Sequence, residues 1–169
     1  MKDIKFLTLS KNAKLPTANG DRAMAFDLYA ARDTIVMPGL TLVDLGVVLD
    51  PTMYDDFGGF HLYLRSGFSS NASMANGVGL IETSFAGFEK DGEVYGISAK
   101  LRTDDGFVIK AGERIAQLEV YSNHGSIIFP SRLEVNEWSE IKYHDREVWY
   151  HELGPGAGGR GGFGSTGNR

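Results

Sequence analysis

Cysteine is absent from the chain, tryptophan occurs twice and proline five times in 169 residues. Disulfides, Cys-ligated zinc and a thiol nucleophile are therefore excluded, and a cysteine-free chain suits a reducing cytoplasm. No run approaches the roughly 20 consecutive apolar residues that span a bilayer as a helix. Met1-Lys2-Asp3 opens no signal peptide. Positive charge is also scarce. The 17 Lys and Arg against 22 Asp and Glu leave a net charge of -5, the wrong sign for a protein that binds along a phosphate backbone. Neither nucleic acid nor membrane is expected as a partner. The four histidines, His61, His124, His144 and His151, show no HExxH or comparable spacing, so no histidine metal site or triad suggests itself.

The hydrophobic content of 42% is ordinary for a soluble protein, and 169 residues suit a single domain with a real core. Short β-rich runs dominate. Residues 4–9, 34–37, 41–49, 59–64, 94–100, 107–110, 114–121 and 126–129 each predict a strand. Pro16, Asn19-Gly20, Pro38-Gly39, Pro51, Asn76-Gly77, Asp105-Gly106 and Ala111-Gly112 punctuate them. Spacing of this kind predicts an antiparallel sandwich or barrel, not a doubly wound sheet. Helical periodicity is confined to residues 139–153, where Tyr143, Trp149 and Tyr150 suit a packed strand or arm equally well. From Leu153 the last seventeen residues include eight glycines and no acidic side chain. The expected organisation is a β-barrel domain over 1–153 and a flexible Gly-rich segment over 154–169.

That segment contains Gly-Arg-Gly-Gly-Phe-Gly-Ser-Thr-Gly at residues 159–167. Glycines leave backbone N–H groups unshielded, so such a loop can wrap anionic oxygens. Arg160 adds a planar donor fork, and Ser165 and Thr166 add hydroxyls. Phe163 offers a face on which a nucleobase stacks. A disordered tail reads equally well from composition. A P-loop does not, because no Lys follows the glycines.

Four further segments precede it in order. They are Ala23-Met24-Ala25-Phe26-Asp27-Leu28, then Leu64-Arg65-Ser66-Gly67, then the run from Asn76-Gly77-Val78-Gly79-Leu80-Ile81-Glu82 to Thr83-Ser84-Phe85-Ala86-Gly87, then Gly112-Glu113-Arg114-Ile115-Ala116-Gln117-Leu118. Together with the glycine-rich tail, these resemble the five ordered motifs of the trimeric, all-β dUTPases, the deoxyuridine 5′-triphosphate nucleotidohydrolases. Coverage runs from about residue 4 to the C-terminus. The resemblance implies a distorted jelly-roll barrel forming a homotrimer. It also implies Mg²⁺-dependent hydrolysis of dUTP to dUMP and pyrophosphate, serving nucleotide metabolism and the exclusion of uracil from DNA. Active sites in that family are shared between subunits, and the C-terminal motif closes over them as a lid. The expected compartment is the cytoplasm, that of the host if the protein is virus-encoded.

Roles carry over motif by motif. By resemblance Arg65 and Ser66 bind phosphate at the end of a predicted strand, and Gly67 lets backbone approach the same ligand. Asn76 lies beside the uracil and deoxyribose, with Gly79, Leu80 and Ile81 against the sugar; a plain hairpin turn at Asn76-Gly77 is the alternative. Glu82 stands where the family has Asp, the carboxylate that deprotonates the attacking water. One extra methylene displaces it, and a misplacement of about 1 Å can cost on the order of 100-fold in rate. Phe85 replaces the family Tyr that stacks under the deoxyribose and keeps its flat apolar face; a core Phe is the alternative. Gln117 is the polar residue of an apolar strand, and its family partners are a phosphate oxygen or the nucleophilic water. The adjacent Glu113-Arg114 reads as a structural ion pair. Asp27 is placed near the metal's water shell, with hairpin support as the alternative. Catalysis thus falls to Glu82, Gln117 and Arg160, with Phe163, Gly164, Ser165 and Thr166 closing on the nucleotide. Mg²⁺ is expected to be held mainly by phosphates and water.

Two departures bear on specificity. The family arginine usually stands five residues before the stacking Phe; Gly158 occupies that place, and Arg160 stands three before Phe163. Residues 88–96 are several residues longer than the usual base-reading hairpin. A pyrophosphatase for dCTP or a modified deoxypyrimidine nucleotide is therefore one alternative, and a weakly active regulatory relative is another. dCTP deaminases share the fold but use a Glu where Ala86 stands, which argues against deamination.

Overall fold

The computed structural model describes residues 1–53, 55–83 and 85–137. The segment 139–153 and the tail residues Arg160, Phe163, Gly164, Ser165 and Thr166 lie outside the described residues. The first half carries β1 (Lys2–Thr8), β2 (Thr17–Ala18), β3 (Phe26–Tyr29), β4 (Thr34–Val36), β5 (Gly39–Asp44), β6 (Val47–Leu49), β7 (Gly59–Leu64) and β8 (Ser73–Met74). There follow β9 (Gly79–Ile81), β10 (Phe88–Lys90), β11 (Glu93–Tyr95), β12 (Ser98–Thr103), β13 (Phe107–Ile109), β14 (Arg114–Tyr121), β15 (Ile127–Ile128) and β16 (Leu133–Glu137). Among the described residues the only helical turns are short 3-10 segments at Pro51–Met53 and Pro130–Arg132. No described helix is long and apolar enough to cross a membrane.

The all-β architecture expected from the short runs is the one observed. The largest sheet has the order β2-β3-β14-β7-β9, with β15 paired to the end of β14. Smaller sheets follow the orders β16-β1-β6, β5-β12-β8, β13-β4 and β10-β11. Every described pairing is antiparallel except β1 with β16. One core cluster joins all of these sheets except β10-β11, with Phe6, Phe26, Leu62, Leu101, Ile115 and Leu118 fully buried. Burial of each such side chain stabilises the barrel by about 1.5–3 kcal/mol. In β7 and β14 the period-two alternation sends Phe60, Leu62, Ala116, Leu118 and Val120 into the core. His61, Tyr63, Gln117, Glu119 and Tyr121 are left half-buried on the opposite face.

The stretches 41–49 and 94–100 do not form single strands as their apolar runs predict. Both break where they cross. Gly46, at φ +70°, interrupts the first, and Gly96 lies so close to Val47 that an added Cβ would stand 2.5 Å from the Val47 carbonyl oxygen. The buried Asp44 caps both breaks, its Oδ1 accepting from the N–H of Gly46 at 2.8 Å and of Gly96 at 3.0 Å. The same chain also contains strands at β2, β3, β8, β9 and β16 that hydrophobic runs do not announce, because each is short and takes its stability from its neighbours.

Candidate active site

Strand β14 lies between β3 and β7, and the register sets Asp27, Gln117 and Tyr63 in one row across the sheet. Between Arg114 and Ala116 the pairing with β3 shifts. The irregularity leaves both Ile115 and Ala116 buried, so Arg114 emerges on the same face as Gln117. Asp27, only 2% exposed, is therefore ringed by donors. Arg65 Nε stands 3.1 Å from its Oδ1, Arg114 Nη1 donates to Oδ2 at 3.3 Å, and Gln117 Nε2 donates to Oδ1 at 3.4 Å. Two guanidinium groups thus face one carboxylate. Such a buried charge is tolerable because it is paired, and the excess positive charge suits an anionic ligand. Arg114 pairs with Asp27 and not with Glu113, against the sequence-based expectation; the bulge decides this. No motif within the chain announces a bulge, although the polar-apolar phase change after Arg114 is its trace.

Arg65 is held at its post by its own backbone, whose N–H donates to Ile115 O at 3.0 Å. A compact turn follows, with Phe68 N–H and Ser69 N–H both donating to Arg65 O and with Ser66 and Gly67 exposed. A Cβ added at Gly67 would meet nothing within 4 Å, so a ligand can approach its backbone freely. The Asn76-Gly77 turn, with Gly77 at φ +70°, is not a hairpin. It passes the chain from β8, paired to β12, over to β9, paired to β7. Asn76 itself is exposed at this crossing.

Glu82 lies elsewhere. Strand β9 runs against β7 with Leu62 opposite Gly79 and Phe60 opposite Ile81. Glu82 therefore follows on beside Gly59, at the end of β7 remote from Arg65. At roughly 3.3 Å per residue the two are separated by about 20 Å along the strand. A turn closed by Phe85 N–H to Glu82 O at 3.0 Å holds the Glu82 backbone, and its side chain is exposed. Gly79 is buried against Leu62, Leu80 is 74% exposed, and Ile81 packs on the core. Phe85 is half-buried and packs against both the main core and a second cluster of Leu7, Leu9 and Val48. One chain therefore assembles Asp27, Arg65, Arg114 and Gln117, and keeps Glu82 and Phe85 at a distance.

Residues 88–95 form a discrete hairpin, β10 and β11, closed by Asp91-Gly92 with φ of +52° and +77°. Two positive φ values at an Asp-Gly pair are the signature of a tight primed turn, a signal legible in the sequence. Among the described residues no cluster of three or more His, Asp and Glu side chains stands ready to hold a metal.

The dUTPase family model matches residues 11–148. The chain belongs to the dUTPase family. The matched span takes in Asp27, Arg65, Asn76, Glu82, Phe85 and Gln117, and ends before Arg160. The deoxyuridine 5′-triphosphate nucleotidohydrolase of Yarrowia lipolytica is 30% identical over 166 residues, covering 97% of this chain and 88% of its own. That of fowlpox virus is 28% identical over 169 residues and covers 99% of each chain. Among solved structures, the Streptococcus mutans dUTPase aligns with a TM-score of 0.51 at 25% identity, over 68% of this chain and 91% of that one. A dUTPase of Staphylococcus bacteriophage 80alpha shares the fold with a TM-score of 0.56 at 20% identity, over 82% and 97%. The dUTPase fold thus extends over most of the described barrel.

Proposed function

We propose that this dUTPase-family chain hydrolyses dUTP to dUMP and pyrophosphate in the cytoplasm, through in-line attack of water on the α-phosphorus. The observation that supports this best is the cluster around Asp27, where Arg65, Arg114 and Gln117 converge on one face of the sheet. Its cations and amide suit a triphosphate, and the exposed turn at Ser66 and Gly67 adds backbone and hydroxyl donors. Glu82 takes the proton of the attacking water, and Gln117 orients phosphate or water. Asn76, Gly79, Leu80 and Ile81 contact the base and sugar, and the β10–β11 hairpin closes on the base. Phe85 presents an apolar face to the deoxyribose. Arg160 and the Phe163-Gly164-Ser165-Thr166 stretch of segment 154–169 complete the site as a lid.

Separation of Glu82 from Arg65 within one chain supports a homotrimer. Base and phosphate-binding groups must meet around a single triphosphate, so different copies supply them, and a heterologous contact that closes on itself gives a ring. Mg²⁺ fits the donor set as an ion carried by the nucleotide. Both oxygens of Asp27 already accept from nitrogen donors, which leaves it room for one water but not for a direct protein cage. Bound there, the ion offsets charge on the triphosphate.

A panel of deoxynucleoside triphosphates assayed for pyrophosphate release, with ammonia measured in parallel, tests the reading. Turnover of dUTP with Mg²⁺ is expected, without ammonia. Absence of turnover on every nucleotide, with the protein folded, rules out the enzyme reading. Preference for dCTP replaces only the base assignment.

A further inference from the structure

We propose that Arg32 is a positioning residue for the β10–β11 hairpin and thereby governs how tightly and how selectively the base is held. The inference rests on the reading that this hairpin closes on the base. Among the described residues β10 and β11 pair only with each other, and an isolated two-stranded hairpin is marginally stable in water. Its orientation must therefore come from side chains. Val94 tacks it to the Leu7, Leu9 and Val48 cluster. Among the described residues, polar contacts to β11 converge on one residue outside the hairpin. Arg32, in the loop between β3 and β4, pairs with Glu93 through Nη1, donates from Nη2 to Val94 O at 3.5 Å, and lies over the Tyr95 ring with its guanidinium carbon 4.5 Å from the centroid. One guanidinium thus touches all three residues of the strand.

Arg32 is itself fixed from below. Its Nη2 and Nε donate to Asp44 Oδ2 at 2.7 and 3.1 Å, and Asp44 is 1% exposed. The other oxygen of Asp44 accepts from Gly96 N–H, the first residue after β11. A single buried carboxylate thus anchors both the guanidinium that holds the hairpin and the backbone by which the hairpin leaves the barrel. Only a planar five-donor fork can serve Asp44, Glu93, the Val94 carbonyl and the Tyr95 ring at once; an ammonium cannot. Holding the hairpin in one orientation before the nucleotide arrives lowers the ordering cost of binding, so the effect falls on KM more than on kcat.

Hydrogen exchange and steady-state kinetics on the full chain test this. In Arg32→Gln the amides of residues 88–95 are expected to exchange faster while those of β14 do not change. KM for dUTP is expected to rise about tenfold, more than kcat falls, and the dUTP-to-dCTP ratio of kcat/KM is expected to narrow. Arg32→Lys keeps a charge beside Asp44 but not the fork; it should recover global stability without restoring hairpin protection. Glu93→Gln removes a hairpin contact and leaves the Arg32–Asp44 pair, so it reports even where Arg32→Gln folds poorly. Unchanged exchange over 88–95 in all three variants overturns the positioning role, whatever the wild-type activity. Faster exchange with unchanged KM overturns the functional half and shows that the hairpin does not take the base. Absence of wild-type dUTP turnover instead removes the underlying function while the exchange result stands.

Discussion

Asp27 and Asp44 are both buried, and each is surrounded by guanidinium and N–H donors that compensate its charge. They hold two polar centres among the described residues, one at the proposed phosphate site and one under the hairpin. Replacing Asp44 with Ala leaves the Gly46 and Gly96 N–H groups buried without their acceptor and Arg32 without its anchor. A loss of about 3 kcal/mol is expected in urea unfolding, and a loss below about 0.5 kcal/mol would show that water replaces the carboxylate. At Glu82, substitution by Gln removes the proposed proton acceptor but not the shape. Turnover should fall by about 100-fold or more with nucleotide affinity nearly intact, measured by single-turnover rate and equilibrium binding. Glu82→Asp should also slow the reaction, because the turn to Phe85 fixes the backbone and the shorter carboxylate stops one C–C bond short. A faster Glu82→Asp enzyme would show instead that the site is an impaired copy of the family pattern.

Two irregularities shape the elements. The bulge in β14 turns Arg114 toward Asp27, and the paired breaks at Gly46 and Gly96 turn two long apolar runs into four short strands. Gly96 sits where a Cβ would lie 2.5 Å from Val47 O and 2.7 Å from Val47 N, both rigid backbone atoms. Gly96→Ala should therefore destabilise by about 1–3 kcal/mol with an unchanged denaturant slope, and a neutral result would mean that the crossing opens easily. The polar face of β7 and β14 has its own titration. Tyr121 O–H donates to Glu119 Oε2 at 2.6 Å, the His61 ring lies tilted against the Tyr121 ring with centroids 4.5 Å apart, and the phenol pKa is raised above its ordinary 10.0, first by the Glu119 bond and then by desolvation. Because the folded state favours the neutral phenol, this contribution is fully present below the unfolded pKa and is lost only as pH rises through the higher folded value. Alkaline titration of tyrosinate absorbance should show one late-ionising group that disappears in Tyr121→Phe; loss of an early step instead would place the late group elsewhere.

On the scale of the molecule, the proposed roles of Glu82 and Arg65 around one triphosphate, together with their separation along β7, make assembly a condition of the proposed activity. Light scattering should report three times the subunit mass of 18.5 kDa at micromolar concentration. A mass of 18.5 kDa with full activity would mean that one chain closes the site alone.

Residue order by itself determined the β class of the described residues, because short apolar runs set apart by Gly and Pro turns leave no room there for long helices. It also determined the family, since motifs are local strings and survive at 30% identity over the chain. What only the tertiary structure decided are relations between distant segments. Arg114 reads beside Glu113 in sequence and pairs with Asp27 in space, because a bulge changes the face a strand presents. Apolar runs at 41–49 and 94–100 break where they cross, because two backbones cannot occupy one place and a buried Asp44 rewards the break. Arg32 carries no motif at all. Its partners lie twelve and more than sixty residues away, and long-range pairings of that kind arise from how the strands close on one another.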